Sequence, residues 1–342
     1  MMEDPQNNPA WADLSEEQLL DLRLCDLGLQ LDGGFLGKRI EELEQELAEK
    51  GLLFRPYFWL GEEWFTPSGV PGVALPFYLA HPRLMKLERS QMLEVEGGTE
   101  DWCRRILRHE CGHAIDHAYR LHRRRNRQKL FGLSSAPYPE DYAPKPFSKN
   151  FVRNIDYWYA QSHPDEDFAE TFAVWLDTTS SWRVRYQGWA AFKKLKYMDE
   201  LMREIANQTP SVKTRQRPYS ISSLKRTLRA HYAKKREQYQ VDLPKLYDRD
   251  LKRLFDGGPE AGGIRAAAFI ASHRKEARRL VARWTGVYQY TVDQVIAEMI
   301  ARSRHLGLFL RGDPDEAKLN FSLLLAVHTM NYLHSGRYRL AL

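Results

Sequence analysis

The sequence predicts an α+β fold, in which a domain with a small mixed sheet and one central helix is followed by an all-α bundle. Two short runs rich in strand-forming residues, at 54–60 and 73–79, lie among segments of helical periodicity in the first half of the chain. A longer helical segment contains the string His-Glu-Cys-Gly-His at 109–113. After residue 210 the chain is helical and basic, which is typical of a separate helical bundle.

The composition is that of an ordinary globular protein, with 43% hydrophobic and 28% charged residues. No apolar run reaches the length needed to span a membrane, and residues 1–8 have neither the basic end nor the apolar block of a signal peptide. Three cysteines, Cys25, Cys103 and Cys111, are too few for a disulfide framework and fit a reducing compartment. We therefore expect a cytoplasmic protein with no membrane partner.

The charge of the chain changes sign along its length. Residues 211–342 carry 25 Lys and Arg against 12 Asp and Glu, a net charge of +13, whereas the preceding part carries 26 against 33, a net charge of −7. A chain of 342 residues is long enough for two or three domains. We predict N-terminal helices at 1–52 that pack on a central domain at 53–210, then a basic helical domain at 211–342. A basic region of this kind attracts nucleic acid, acidic lipid or the acidic front half of its own chain.

Capping signals and periodicity define the first helices. The pattern Ser-Glu-Glu-Gln at 15–18 is a capping box, so a helix is predicted to begin there and to end near Gly28. A second helix is predicted over 36–50, because apolar residues recur on one stripe and Gly51 supplies the stop. That stripe consists of Leu36, Ile40, Leu43 and Leu47.

The sheet is predicted from two short segments. Residues 54–60 are typical of a strand, and 61–63 are typical of a hairpin turn before Trp64 and Phe65. Residues 73–79 are predicted to form an edge strand, because prolines interrupt or flank them and proline cannot donate to a central ladder. An edge strand can hold an extended peptide through its free backbone groups, and an irregular edge without a ligand is an equally open interpretation.

The helix that carries the motif is predicted to begin after Gly97-Gly98-Thr99, with Glu100 and Asp101 in its first turn. It is predicted to end in the basic run 122–127, whose charges suit a solvated helix C-terminus better than a nucleic-acid contact. The segment 128–161 is rich in Pro, Tyr and Ser, and we expect a long loop that walls a functional site.

A further helix is predicted from residue 162 to about 178, since Ser162-His163-Pro164-Asp165 offers a cap, an early proline and an acid. It carries Glu166 and Glu170. The helices of the C-terminal bundle are predicted at 222–240, 263–284, 291–305 and 313–334.

The pentapeptide 109–113 has the spacing of a metal site. On an α-helix, residues four apart lie on one face, so the imidazoles of His109 and His113 can bind the same ion. Glu110 would then point at the open coordination position and act as a general base, and the ion that fits this chemistry is Zn²⁺. The alternative is a helix with two polar-face histidines beside an ordinary glutamate.

A catalytic zinc takes three protein ligands, so a third must come from elsewhere in the chain. We predict Glu166, on the second capped helix, as this ligand. Glu170, one turn further on the same face, would accept the free ring N–H of a ligating histidine. His163 is the alternative third ligand, although it lies in the first turn beside Pro164.

The other polar residues near the motif are expected to be exposed, to cap a helix or to pack, rather than to bind the metal. Asp165 and Asp167 point elsewhere on their helix and are expected to be solvent groups or caps. His117 continues the stripe of His109 and His113 but cannot reach the same ion along a straight helix, so it is expected to neighbour the pocket or to pack. Cys111 is expected to face away from the metal, into the core.

These residues also carry a resemblance. The pattern His-Glu-x-x-His at 109–113 followed by Glu-x-x-x-Glu at 166–170 resembles the gluzincin class of metallopeptidases, and 166–170 is similar to the corresponding segment of anthrax lethal factor. More closely, the segments 77–82 and 159–164 resemble a bacterial family of zinc-binding metallopeptidases. The similarity covers roughly residues 50–180.

The resemblance implies a zincin-like catalytic domain at 53–210 with an active-site helix. It implies Glu110 as the catalytic base and Tyr159 as the hydrogen-bond donor to the developing oxyanion, with Tyr157 as the fallback. Cys111 within the motif is a departure from the family pattern.

The predicted function is that of a zinc-dependent metallopeptidase, a hydrolase in which Glu110 activates a zinc-bound water and whose partner is a peptide or protein substrate. One alternative is a nucleic-acid-binding protein whose basic C-terminal region acts and whose zinc is structural. Against it, three ligands leave an open site, whereas structural zinc is usually closed by four. A second alternative is a partner-binding protein in which the bundle covers the cleft and the peptidase is latent. Substrate and oligomeric state do not follow from the sequence.

Overall fold

The computed structural model describes residues 9–31, 33–139, 144–156, 158–239, 247–256 and 263–334. These residues form an α+β structure, mostly helical, with two short pairs of strands and two main buried cores. The elements that border the first core are α1 (Glu16–Leu20), α2 (Gly34–Glu49), β1 (Tyr57–Gly61), β2 (Gly72–Pro76), α3 (Pro82–Met92), α4 (Glu100–Tyr119), α5 (Arg125–Phe131), α6 (Pro164–Leu176), α7 (Trp182–Arg185), α8 (Ala191–Ile205) and α9 (Leu228–Gln238).

The second core is enclosed by α10 (Asp248–Leu254), β3 (Phe255–Asp256), α11 (Ala266–Thr285), α12 (Gln289–His305), β4 (Phe309–Leu310) and α13 (Pro314–His334). Strands β3 and β4 pair antiparallel. None of the helices in the described ranges combines the length and apolar character that a membrane crossing requires.

The predicted start of the first helix is confirmed, but its predicted end at Gly28 is wrong. Ser15 and Gln18 form the reciprocal hydrogen bonds of a capping box, yet α1 ends at Leu20. The following segment bonds to a distant one instead: the backbone N–H groups of Leu24 and Cys25 donate to the carbonyls of Arg226 and Leu224. These long-range bonds replace the helical ones, and only a short 3₁₀ turn remains before Gly28. Helix α2 matches its prediction closely.

The sheet is mixed, as predicted, but the predicted hairpin is wrong. Strand β1 pairs with β2 in parallel, from Tyr57 opposite Gly72 to Gly61 opposite Pro76. The chain does reverse after Gly61, but Phe65 then forms an antiparallel bridge to Ala74 of β2. Strand β2 is therefore hydrogen-bonded on two sides and buried along its length, so it is not a free edge.

Helices α4 and α6 cross at very close range, and Gly112 of the motif lies at the crossing. A Cβ atom at Gly112 would lie 2.8 Å from the Cα atom of Ala169, closer than real contacts allow. Thr99 caps α4, since its hydroxyl accepts the N–H of Trp102. Cys111 is fully buried on the core side of α4, which confirms the expectation that it packs there.

Two His-Pro steps begin helices in the same way. In each case a 3₁₀ turn precedes the histidine, and the histidine Nδ1 accepts a backbone N–H at 3.1 Å: His81 from Arg83, and His163 from Asp165. Helix α6 therefore starts at Pro164 with His163, rather than Ser162, as its cap. It ends at Leu176.

The prediction that the basic run 122–127 is a solvated helix end is wrong for Arg127. Helix α4 ends at Tyr119, where Arg120 takes a left-handed conformation with φ 52°, and the run continues into α5. The Arg127 side chain is 0% exposed and forms ion pairs with Asp116 of α4 and Asp165 of α6. Arg127 thus ties the motif helix to the helix that faces it.

The change in charge after residue 210 does not coincide with the change of core. Residues of α9 and the turn before it belong to the first core. The basic residues of α9 pair with acidic residues of the front half: Arg229 with Asp21, and Lys235 with Glu63. The second core begins only with Tyr247.

Replacing Arg127 by alanine should lower the free energy of unfolding by about 3–5 kcal/mol, because two carboxylates would lose their buried partner. The measurement is urea unfolding followed by circular dichroism. Arg125→Ala is the matched control, since Arg125 is on the same helix, exposed and without an ion pair among the described residues. An Arg127→Ala variant as stable as Arg125→Ala would contradict the role assigned to this residue.

Candidate metal centre

Three side-chain atoms from α4 and α6 form a nearly equilateral triangle. His109 Nε2 lies 3.1 Å from His113 Nε2 and 3.0 Å from Glu166 Oε2, and His113 Nε2 lies 3.1 Å from the same carboxylate oxygen. Ligands at zinc bond lengths and tetrahedral angles are separated by about 3.3 Å. The three residues could therefore hold one metal ion with little adjustment.

The electrostatics of this triangle favour a positive charge at its centre. Burial lowers the pKa of His109, but hydrogen bonds to Glu166 and Glu170 outweigh it and raise the pKa to about 10. Burial raises the pKa of Glu166, yet His113 and His109 hold that pKa well below its usual range. Without a metal, protons on the histidines supply the positive charge that balances the nearby carboxylates. A metal cation bound at the triangle would supply that charge instead and would release these protons.

Glu170 holds His109 from the side opposite the triangle. Its Oε1 lies 2.9 Å from His109 Nδ1, which leaves Nε2 of the ring directed at His113 and Glu166. Glu170 is fully buried and also accepts hydrogen bonds from the Asn154 side chain and the backbone N–H of Ile155. Because its own position is held by these donors, Glu170 can orient the ring of His109.

Glu110 follows His109 on α4, and it contacts no member of the triangle by hydrogen bond. Its Oε2 accepts the hydroxyl of Thr66 at 2.8 Å, and the same hydroxyl lies 3.2 Å from the Glu110 carbonyl oxygen. Thr66 comes from the segment that follows the reversal after β1. The carboxylate of Glu110 lines the same cavity as His109, His113 and Glu166.

Tyrosines approach Glu166 from the loop and the 3₁₀ turn before α6. Tyr159 is buried, its ring centroid lies 5.5 Å from that of His109, and burial together with the nearby Glu166 carboxylate raises its pKa well above the usual value. It therefore remains a neutral hydrogen-bond donor. Tyr157, the predicted fallback, lies outside the described residues.

Tyr138 belongs to the site although it was not predicted from the sequence. Its hydroxyl donates to Glu166 Oε1 at 2.8 Å, on the oxygen that is not shared with the histidines. Its ring stacks on that of His163, with the centroids 3.8 Å apart. The abundance of tyrosine in 128–161 indicated a wall of the site, but no periodicity in a loop could single out this residue.

The remaining polar residues of the region have structural contacts. His163 caps α6 and its Nε2 lies 2.9 Å from the Ala136 carbonyl oxygen, so it is not placed as a ligand.

Asp167 is buried and paired with Lys194, and burial raises its pKa to about 7. The expectation that Asp167 is a solvent group or cap is therefore wrong. Asp165 is bound by Arg127 and Ser134. His117 lines the cavity, as one of its expected roles, and burial lowers its pKa to about 4.

The triangle opens on a cavity of about 1180 Å³. The expected loop contributes to its wall, with Ser134, Tyr138 and Ile155 among the lining residues. The segment after β1 also contributes, through residues 64–66 and Ser68, whereas no residue of β2 lines the cavity. Phe65 of this segment bridges to Ala74 of β2. A second part of the wall comes from α11 and the beginning of α12.

Comparison with known protein families gives one match, which contains the residues of the triangle. Residues 105–228 match the model of a protein family described as a putative zinc-binding metallo-peptidase. The match covers roughly a third of the chain and includes the three residues of the triangle with Glu110 and Glu170. No curated protein and no solved structure matches the chain.

Replacing Glu170 by glutamine should weaken metal binding about 10–100-fold, because the imidazole of His109 would lose the carboxylate that orients it. The measurement is competition with a chromophoric zinc chelator. Glu200→Gln, an exposed glutamate on α8, is the control and should bind metal as the wild type does. Equal affinities for the two variants would exclude a supporting role of Glu170.

Proposed function

We propose that this chain is a zinc-dependent metallopeptidase of the gluzincin type. The observation that carries the proposal is the triangle of His109, His113 and Glu166 with Glu110 beside it on the wall of one cavity. Two imidazole nitrogens and one carboxylate oxygen are a donor set typical of catalytic zinc, which keeps a fourth position open. The family match over 105–228 supports the same class of chemistry.

When bound, zinc supplies a Lewis acid that polarises the scissile carbonyl and makes water more acidic. Glu110 takes the proton of the attacking water and passes it to the leaving amine. Thr66 holds the Glu110 carboxylate in place through its hydroxyl. Glu170 keeps the His109 ring in the orientation that directs Nε2 at His113 and Glu166, where these three residues would hold the zinc.

Tyr159 is the proposed donor to the oxyanion that develops on the carbonyl oxygen when water attacks the carbonyl carbon. Its raised pKa keeps the phenol protonated, which a donor requires, and its ring already lies beside His109. Tyr138 is proposed to hold Glu166 in place, because its hydroxyl donates to the carboxylate oxygen that the histidines do not contact. Each step of the hydrolysis then has a residue on the cavity wall.

The proposed partner is a peptide or protein substrate rather than nucleic acid. Several basic residues that suggested a nucleic-acid partner are engaged in ion pairs: Arg229 with Glu17 and Asp21, and Arg302 with Asp248. We also propose a reducing, cytoplasmic environment, since the three cysteines are unpaired.

Replacing Glu110 by glutamine should lower kcat for peptide hydrolysis by about 10²–10⁴-fold, because the amide cannot accept the proton of water. Zinc content should stay at the wild-type level, since Glu110 is not one of the three ligands. The two measurements are peptide-library cleavage and metal analysis of the purified proteins. Full activity in Glu110→Gln would refute the mechanism, and loss of zinc would assign Glu110 to the ligand set.

Replacing Tyr159 by phenylalanine should lower kcat by about 10²–10³-fold with little change in zinc content, because one donor to the oxyanion is lost. Tyr197→Phe is the matched control, since its hydroxyl is buried without a hydrogen-bond partner among the described residues. Steady-state kinetics on one fluorogenic peptide would measure both. A Tyr159→Phe enzyme that keeps wild-type kcat would remove this residue from the mechanism.

A further inference from the structure

The second core contributes one wall of the cavity that contains the metal triangle. The C-terminal half of α11 lines it with Arg279, Leu280 and Arg283, and the corner before α12 continues the wall. Hydrogen bonds fasten this corner to the first core: the Tyr288 hydroxyl donates to Glu96 at 2.7 Å, and the Gln289 N–H donates to Glu94 at 2.9 Å. The wall is therefore a built part of the cavity.

The guanidinium groups on this wall are available to a ligand. Arg279 and Arg283 lie one helical turn apart, are exposed, and have no ion-pair partner in the described part of the chain. Arg274 and Arg278 of the same helix are both paired with Asp293. The arginines that face α12 are thus neutralised, whereas the two that face the cavity are not.

Apolar side chains lie beside these arginines. Leu280 is 44% exposed and Trp284 is 81% exposed, and the two are also one turn apart on α11. Tryptophan is usually well buried, and exposed tryptophan next to arginine is typical of binding surfaces. Positions 279, 280, 283 and 284 together form what we call the α11 patch, a cationic and apolar surface that continues into the cavity.

We propose that the α11 patch binds an acidic segment of the peptide substrate, at a distance from the scissile bond. This inference rests on the proposed peptidase function and adds a substrate class to it. Paired carboxylates of the peptide would bind the two guanidinium groups, and an apolar side chain between them would contact Leu280 and Trp284.

The acidic side chains elsewhere on the cavity wall favour a peptide over nucleic acid. Glu94, Glu96, Glu110 and Asp156 line the same cavity. A nucleic-acid strand carries a charge on every unit and would place phosphates against these carboxylates. A peptide can carry its carboxylates in one segment and remain neutral where it passes the acidic wall.

Binding can be measured without cleavage in the full-length Glu110→Gln protein. The probes are a fluorescently labelled peptide in which glutamates flank a leucine, and its analogue with glutamine at the same positions. We expect tighter binding of the acidic peptide, and about tenfold weaker binding of that peptide after the double change Arg279→Gln, Arg283→Gln. Trp284→Ala should weaken both peptides.

The control carries the double change Arg253→Gln, Arg304→Gln. These arginines are exposed on α10 and α12 and line no part of the cavity. Replacing them removes the same charge from the helices around the second core as the change at 279 and 283 does. The control should bind the acidic peptide as the parent does. Equal weakening in the two double variants would overturn the proposal, because it would reflect net charge alone.

Cleavage assays with proteins that keep Glu110 separate this inference from the proposed function. With Glu110 intact, the change at 279 and 283 should raise KM for the acidic peptide and leave kcat unchanged. Normal cleavage with an unchanged KM would overturn the α11 patch and leave the peptidase standing. Specific binding with no cleavage by the wild type would keep the patch as a peptide site and refute the peptidase. A labelled oligonucleotide that displaces the acidic peptide and depends on the same arginines would also overturn the proposal.

Discussion

The close crossing of α4 and α6 is the constraint on which the candidate site depends. His109 and His113 lie on one helix and Glu166 on the other, so the triangle exists only where the two backbones nearly touch. Gly112 permits that approach, because any side chain there would collide with the backbone of Ala169. Arg127, buried between carboxylates of both helices, holds the same crossing from a second point.

The buried charges around this crossing are arranged as complementary pairs. Two buried carboxylates of α6 have cationic or N–H partners: Asp167 has Lys194, and Glu170 has His109 and the donors of 154–155. The triangle differs, because the Glu166 carboxylate there is balanced only by protons on the two histidines or by a cation at the centre. A metal ion would balance the charge of the triangle, as Lys194 and the N–H donors balance the other buried carboxylates of the region.

The second core gives the cavity a wall of different chemistry from the first. Acidic and aromatic residues line the side formed by the sheet and α4, whereas α11 contributes arginines and exposed apolar side chains. The sign change in the sequence therefore appears twice in the structure. It appears as ion pairs between α9 and the front half, and as a cationic part of the wall of the cavity that contains the metal triangle.

Local patterns in the sequence were enough to predict the helix that carries His109, the capping box at 15–18 and the face shared by Glu166 and Glu170. These features could be predicted because helical periodicity and caps depend on residues only a few positions apart. The local patterns failed where distant segments compete for the same groups: α1 stops early because 22–25 bonds to 224–228, and β2 is covered because Phe65 returns to it. Arg127 looked like a surface charge because its carboxylate partners lie on two other helices. The position of Tyr138 and the wall formed by α11 likewise follow from packing between distant parts of the chain, which only the tertiary structure could decide.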